Sequence, residues 1–272
     1  MDLYDIKQGD LALLGLPIDH NSSFMTGPAM GPQRMREALH CGAANLTSEN
    51  GHDLGNDTRL KDLGDLQFED TSTAIASIEK HAEEIIATGA RLLSIGGDHS
   101  VSGPLIRAHS KRYPDLNILH FDAHSDLYDE MQGNRDSHAC PFARAMETGR
   151  VKRLVQVGVR TLNKHQQEQA EKFGVEIIAM KDWHRDIAFQ FDGPLYFSID
   201  LDVLDPAYAP GVSHHEPGGM SVRDLINTLH RLDANLIGAD IVELNPHRDL
   251  VGMTAMVAAK LTKEVSAKLL SD

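Results

Sequence analysis

Three short stretches of this 272-residue chain place acids, in two of them together with histidines, directly after apolar runs. They are Ser94-Ile-Gly-Gly-Asp98-His99-Ser100, Ile118-Leu-His-Phe-Asp122-Ala-His124-Ser-Asp126 and Phe197-Ser-Ile-Asp200-Leu-Asp202-Val-Leu-Asp205-Pro. Residues two apart on a strand share a face, so Asp122 should point with His124 and Asp200 with Asp202, with Asp126 in reach as the chain turns. Carboxylates aligned at the end of a buried strand repel one another and lose hydration unless positive charge neutralises them. Solvated loop acids would not need histidines at the same period. Asp122, Asp126, Asp200 and Asp202 together balance two divalent cations, and His99 and His124 add neutral nitrogen ligands. An oxygen-rich set with some imidazole and no cysteine suits Mn²⁺, and suits Zn²⁺ less well. Two such ions about 3.5–4 Å apart can share a water and acidify it. The expected chemistry is hydrolytic rather than redox.

A fourth strand end reads Gly238-Ala-Asp240-Ile-Val-Glu243-Leu-Asn245-Pro246. Glu243 is not needed to balance the metals, so its carboxylate is free to grip a planar cation through two parallel N–H···O bonds. His138, in Gly133-Asn134-Arg135-Asp136-Ser137-His138-Ala139, falls near the start of a helix and can overhang the site. A histidine there can carry a proton to a leaving amine. Asn134 and Ser137 of the same loop are candidate substrate contacts. His120 shares the parity of Asp122 and reads as a core or supporting residue. Asp98 and Asp205 read as partners that orient the ligands, and His214 and His215 as loop residues.

Something must hold four strand ends together. Apolar runs that form candidate strands are Leu11–Pro17, Arg91–Gly96, Leu116–His124, Arg153–Arg160, Val175–Met180, Pro194–Leu204 and Leu236–Leu244. Helical patterns between them cover Pro32–His40, Thr73–Thr88, Ser102–Tyr113, His138–Glu147, Asn163–Phe173, Val222–Leu232 and Thr254–Leu270, one of them opened by the capping residue Ser221. Continuous rather than alternating apolar strands mean that both sheet faces are covered. The fold class is therefore α/β, a doubly wound domain with a mainly parallel sheet and functional residues beyond the carboxyl ends of its strands. No linker or repeat divides the chain, so residues 1–272 read as one domain.

The formal charge of −14 argues against nucleic acid or an anionic membrane as partner and is compatible with a small cationic substrate. Two cysteines, Cys41 and Cys140, make no disulfide framework. The opening MDLYDIKQGD lacks the features of a signal peptide, and no run reaches the roughly 18 apolar residues of a membrane span. A cytoplasmic location is the expectation.

Taken together, Gly-Gly-Asp98-His99-Ser, Asp122-Ala-His-Ser-Asp126 and Ser198-Ile-Asp-Leu-Asp-Val-Leu-Asp-Pro resemble the three metal-binding signatures of the arginase/agmatinase (ureohydrolase) family. The likeness runs from Gly15-Leu-Pro to Met256-Val-Ala-Ala-Lys260. It implies the arginase-type three-layer αβα sandwich, a centre of two Mn²⁺ per subunit, and a homo-oligomer, trimer or hexamer. Carried over, His99, Asp122, His124, Asp126, Asp200 and Asp202 match metal ligands, His138 the catalytic histidine and Glu243 the guanidinium-binding glutamate. Asp126 would also accept a hydrogen bond from the attacking hydroxide. His20-Asn-Ser-Ser-Phe, Gly133-Asn-Arg-Asp-Ser-His, Gly211-Val-Ser-His-His-Glu-Pro-Gly-Gly and Asn245-Pro-His-Arg-Asp are most similar to plant-type arginases. The chain departs from the animal pattern in lacking Thr-Gly-Thr-Pro after the metal motif. It also carries Thr161 and Asn163 where animal arginases present an aspartate to the substrate's amino group. The activity implied is manganese-dependent hydrolysis of L-arginine to L-ornithine and urea. Agmatine (giving putrescine and urea) or another guanidino compound is the alternative substrate, and a non-catalytic metal-binding regulatory subunit is the remote one.

Overall fold

The computed structural model describes residues 5–68 and 70–271, so the first four residues of the start read above for targeting signals lie outside it. Seven of its strands are the apolar runs of the sequence: β1 (Leu11–Leu16), β3 (Arg91–Gly96), β4 (Leu116–Phe121), β5 (Val151–Val157), β6 (Glu176–Ile178), β7 (Gln190–Asp200) and β8 (Asp233–Val242). The eighth, β2 (Leu60–Asp65), was not expected. It is a half-buried edge strand whose Lys61, Asp62 and Asp65 give no apolar run to read, and it forms because β1 offers it an unpaired edge. The sheet order is β2-β1-β3-β8-β7-β4-β5-β6, and every pairing is parallel rather than mostly so.

Both faces are covered, as continuous apolar strands require. Leu93, Ile95, Leu119, Phe121, Phe197, Ile199 and Ile241 pack against α1 (Gly31–Leu39), α6 (Val222–Arg231) and α7 (Met253–Leu270). Their strand neighbours Leu92, Ile118, Leu154, Tyr196 and Val242 face α2 (Ala74–Ala87), α3 (Ser102–Arg112), α4 (Pro141–Met146) and α5 (Lys164–Phe173). The result is three layers, helix on sheet on helix. Local signals set the helix ends: Ser221 and Asp224 form a reciprocal capping box at α6, and Asn163 and Gln166 do the same at α5. α4 begins at Pro141, not at His138, so His138 belongs to the loop before it. No helix among the described residues is long and apolar enough to cross a membrane.

Parallel strands end on one edge. β3, β8, β7 and β4 are consecutive in the sheet, so the four motif-bearing ends lie side by side, with the chain passing from β3 to β4 across two strands added later. That crevice is where an open α/β sheet binds ligands.

Candidate metal centre and active site

Each strand end presents its residues differently. After β3 the chain makes a one-turn 3-10 helix, His99–Val101, whose first free N–H groups are met by Asp98, which accepts from Ser100 N at 3.1 Å. Gly97 is needed for this turn to tuck beneath the loop after β1, because a Cβ there would lie 1.8 Å from the Ile18 carbonyl oxygen. β4 stops at Phe121, so Asp122, His124 and Asp126 lie on the segment beyond it. After β7, Asp200 accepts from Asp202 N at 2.8 Å and starts a second one-turn helix, Leu201–Val203. Asp202 thus joins Asp200 through a turn, not through strand alternation as the spacing suggested. Asp126 (φ 47°) and Glu243 (φ 68°) both hold left-handed backbone conformations that non-glycine residues seldom adopt. Such conformations persist where the surroundings enforce them, commonly at functional sites.

The six expected ligands converge. His99 Nδ1 lies 3.0 Å from Asp126 Oδ2 and 3.2 Å from both Asp122 Oδ2 and Asp200 Oδ2. Close as these contacts are, none is aligned as a hydrogen bond, and Nδ1 is buried without a hydrogen-bond partner. His124 Nδ1 lies 2.9 Å from Asp202 Oδ2 and 3.3 Å from Asp122 Oδ1. Asp122 therefore turns one oxygen to each of two imidazole–carboxylate nests. Burial, with Asp202 and Asp122 alongside, pushes the Asp200 carboxyl well above the usual carboxylate range, and burial with Asp122 pushes Asp202 up to about 6. Burial opposes ionisation of Asp122 too, but His120, His124 and His99 hold it well below the usual range. Burial likewise acts against charging His99 and His124, yet the surrounding aspartates hold both pKa values well above that of a free imidazole. Buried carboxylates that raise one another's pKa are relieved by added positive charge. The donor set, four carboxylates and two imidazole nitrogens around a shared Asp122, fits divalent cations.

Beneath the ligands the sheet carries a transverse polar row. Strand register aligns Ser94, Asp240, Ser198, His120 and Gln156 on five neighbouring strands, and all five are fully buried. Ser198 Oγ donates to Asp240 Oδ1 at 2.6 Å, so it accepts from His99 Nε2 at 3.0 Å. With a cation bound, His99 would be the Nε2–H tautomer, its Nδ1 lone pair turned to the ion among the carboxylates. Tyr196 OH donates to the other Asp240 oxygen at 2.7 Å. Gln156 donates to His120 Nδ1 at 3.1 Å, which makes His120 Nε2 the donor to Asp122 Oδ2 at 2.9 Å. His120 also lies close enough to share a cation with His99 and Asp122. Its two nitrogens are both engaged, so it acts as the support for Asp122 that its parity suggested. Ser198, Asp240 and Gln156 were missed in the sequence; the available signal was a polar residue inside an otherwise apolar strand.

Glu243 is less free than its spacing implied. Its Oε1 accepts from His99 N–H and from His138 Nδ1, both at 2.9 Å, which leaves Oε2 as the unengaged oxygen. Although burial works against a charged imidazole, Glu243 raises the His138 pKa to about 9. Ser23, also missed, approaches His138 Nε2 with its N–H at 3.2 Å and its hydroxyl at 2.9 Å. The N–H serves a neutral Nε2 and the hydroxyl oxygen serves a protonated one, so His138 is partnered in either state.

These groups wall one cavity of about 320 Å³. His124, Asp126, Asp200, Asp202, His138 and Glu243 form its inner part, and Tyr128, Met131, Thr161, Gln166 and Glu216 its outer part. His214 also lines it, its ring 5.0 Å from that of His138, so it is more than the loop residue expected. His215 bonds the Pro210 carbonyl instead. Asn134 and Ser137 are not among the lining side chains. Asn134 Nδ2 donates to Asn21 Oδ1 at 3.0 Å and Ser137 Oγ bonds Asn21 O at 3.4 Å, holding the 20–23 loop over His138. Asp98 orients His99 through its turn and accepts from Asn21 N and Ser22 Oγ. The reading of Asp205 is corrected, since it touches no ligand and instead accepts from Gly218 N and Gly219 N, fixing the Glu216 loop.

A three-layer α/β/α domain with clustered carboxylate and imidazole side chains at the carboxyl edge of its sheet has the layout and donor set of a metal-dependent hydrolase. The sequence pattern of the Arginase family matches residues 9–267. Arginase 1, mitochondrial, of Arabidopsis thaliana is 46% identical over 276 aligned residues, covering 95% of this chain and 80% of that protein. Agmatinase of Bacillus subtilis (strain 168) is 34% identical, covering 95% and 91%. The solved arginase of Medicago truncatula superposes with a TM-score of 0.88 at 41% identity, covering 98% of this chain and 89% of that one. The chain belongs to the arginase family, and it is an enzyme of the ureohydrolase type, acting on a small guanidino substrate.

Proposed function

We propose that the protein binds two Mn²⁺ ions and hydrolyses L-arginine to L-ornithine and urea. The observation that carries this reading is the placement of two ligand nests sharing Asp122 beside the Glu243–His138 pair, in one cavity. His99, Asp122, Asp126 and Asp200 would hold one ion and His124, Asp122 and Asp202 the other. Bound there, the ions supply Lewis acidity and a water acidic enough to attack near neutral pH. Glu243 Oε2 takes a guanidinium N–H and fixes the plane of the cation. His138, poised between Glu243 and Ser23, delivers a proton to the departing amine nitrogen. Arginine is favoured over agmatine by the higher identity to proteins named arginase, 46% against 34% for an agmatinase.

The agmatine reading has one observation of its own: no Lys or Arg among the described residues lines the cavity to meet an α-carboxylate. After Mn²⁺ loading, urea release from arginine, agmatine, 4-guanidinobutyrate and free guanidine separates these readings. Arginine should show the highest kcat/KM. Preference for agmatine would move the assignment to agmatinase, and urea from none of the four would refute the activity. The exposed Leu250, Val251 and Met253 support assembly into a homo-oligomer, trimer or hexamer, testable by light scattering.

A further inference from the structure

The outer wall of the cavity carries one carboxylate that the chemistry above leaves unused. The four inner carboxylates of the cavity, Asp126, Asp200, Asp202 and Glu243, each lie within salt-bridge distance of a histidine. Glu216 does not, and its carboxylate makes no hydrogen bond or ion pair with any described residue. We propose that Glu216 is the specificity-determining residue that takes the ammonium group at the far end of the substrate. This rests on the guanidino-hydrolase reading and names what holds the other end of that substrate.

The backbone that carries this carboxylate is held in place. Arg160 donates to the Glu216 carbonyl oxygen through Nε at 2.9 Å and Nη2 at 2.6 Å. The same Nη2 donates to the Asp202 carbonyl oxygen at 2.7 Å, so one guanidinium spans the metal-ligand turn and the loop of Glu216. Its Nη1 is taken by the carbonyl oxygens of Gly158 and Val203. Spent on four carbonyl groups, Arg160 positions Glu216 without forming an ion pair with it. On the far side Asp205 Oδ2 accepts from Gly218 N at 2.7 Å and Gly219 N at 3.1 Å. Gly219 allows this close approach, since a Cβ there would stand 2.6 Å from the Val203 carbonyl oxygen. The intervening Pro217 stiffens the segment further. A loop fixed before binding leaves only the side chain to be ordered when the carboxylate meets its partner.

Among the described residues Glu216 is also the only charged side chain on the outer wall. Its lining companions Tyr128, Met131, Thr161 and Gln166 are neutral, and no described Lys or Arg lines the cavity. A guanidino substrate whose inner end sits at Glu243 leads its tail past this wall. Arginine and agmatine both carry an ammonium there; 4-guanidinobutyrate carries a carboxylate in its place. Glu216 should therefore rank tails by sign, ammonium first and carboxylate last.

The test is Glu216→Gln in the Mn²⁺-loaded protein, a change that keeps the backbone carbonyl held by Arg160. KM for arginine and agmatine should rise by about tenfold, as loss of one charge-assisted hydrogen bond at a partly buried carboxylate allows, with the smaller part of the change in kcat. KM for 4-guanidinobutyrate should stay level or fall, and metal content should not change. Calorimetric binding of putrescine, which has ammonium groups and no guanidinium, should weaken by a similar factor. An equal change for all three substrates, or no change for any, overturns the proposal. If the wild type releases urea from none of them, the function reading fails separately. The putrescine titration then decides for Glu216, with equal affinity in wild type and variant overturning it.

Discussion

Replacing Ser198 by Ala removes one oxygen atom that sits between a metal ligand and a buried acid. In the native chain Ser198 Oγ accepts from His99 Nε2 at 3.0 Å and donates to Asp240 Oδ1 at 2.6 Å. Without it, His99 Nε2–H and Asp240 Oδ1 each lose a partner in a region closed to water, where all three residues are fully buried. A hydrogen bond lost to a charged buried group costs about 1.5–3 kcal/mol, so the folded state should lose an amount of that order. The more specific consequence concerns metal. His99 can offer Nδ1 only while its proton stays on Nε2, and Ser198 is what keeps it there. Loss of such a supporting partner typically weakens metal binding by about 10- to 100-fold, roughly 1.4–2.8 kcal/mol. Calorimetric titration of metal-stripped protein with Mn²⁺ should show the His99 nest weakened by that factor and the His124 nest affected less. Ser198→Thr, which keeps the hydroxyl, should recover most of the affinity. Ser94 supplies the control, because it lies in the same polar row and its Oγ has no hydrogen-bond partner. Ser94→Ala should leave both affinities and stability near wild type. Wild-type Mn²⁺ affinity at both nests of Ser198→Ala, or equal losses in Ser94→Ala, would refute the relay.

Asp202→Ala removes the carboxylate 2.9 Å from His124 Nδ1; elemental analysis should fall from close to two ions per chain to about one, the His99 nest being retained. His138→Ala should lower kcat by about 10²–10⁴, the usual worth of a positioned acid or base, while metal content holds; full kcat would return His138 to a structural role. Glu243→Gln should reduce kcat/KM at least about tenfold with metals retained, and metal loss would mean that Glu243 had been mistaken for a substrate clamp. The same variant tests the pKa. Against burial, Glu243 is the largest upward influence on His138, so removing its charge should lower the value from about 9 and narrow the pH range over which the imidazole is protonated. NMR titration of His138 in metal-free protein reads this directly.

Much of the site was legible because catalytic chemistry breaks local rules. Asp122, Asp200 and Asp202 stand out at the ends of apolar runs, where buried acids are costly, and His120 and His124 beside Asp122 mark that end as one of ligands. The strands were legible for the same reason: Arg91–Gly96 is apolar enough to be bounded to the residue. What the sequence hid has three physical sources. β2 carries Lys61 and Asp62 because an edge strand needs no apolar face, so its pattern is that of a loop. Ser23 and Asn21 reach His138 across more than 100 residues, a contact made by tertiary packing alone. Glu243 was read as a free clamp because spacing along one strand cannot show that His138, from another loop, already occupies one of its oxygens.

The two walls of the cavity differ in how they are held, and that difference bears on how one fold serves several substrates. The inner wall comes from the ends of β4, β7 and β8 and from the His138 loop, and the metal ligands rest on a buried row that ties His99 to Asp240 and Asp122 to Gln156. A change there disturbs the metal site and the core of the sheet together. Tyr128, Met131, Thr161, Gln166 and Glu216 lie beyond the strand ends, on connecting segments and the first turn of α5. Substitution among them alters what the tail meets while leaving the polar row satisfied. Relatives named arginase and agmatinase, 46% and 34% identical to this chain, can then share the inner wall and diverge at the outer one. Arg160 joins the two walls, binding the carbonyl oxygens of both Asp202 and Glu216. It sets the distance between the end of the molecule where a guanidino group is cut and the end where its tail is recognised.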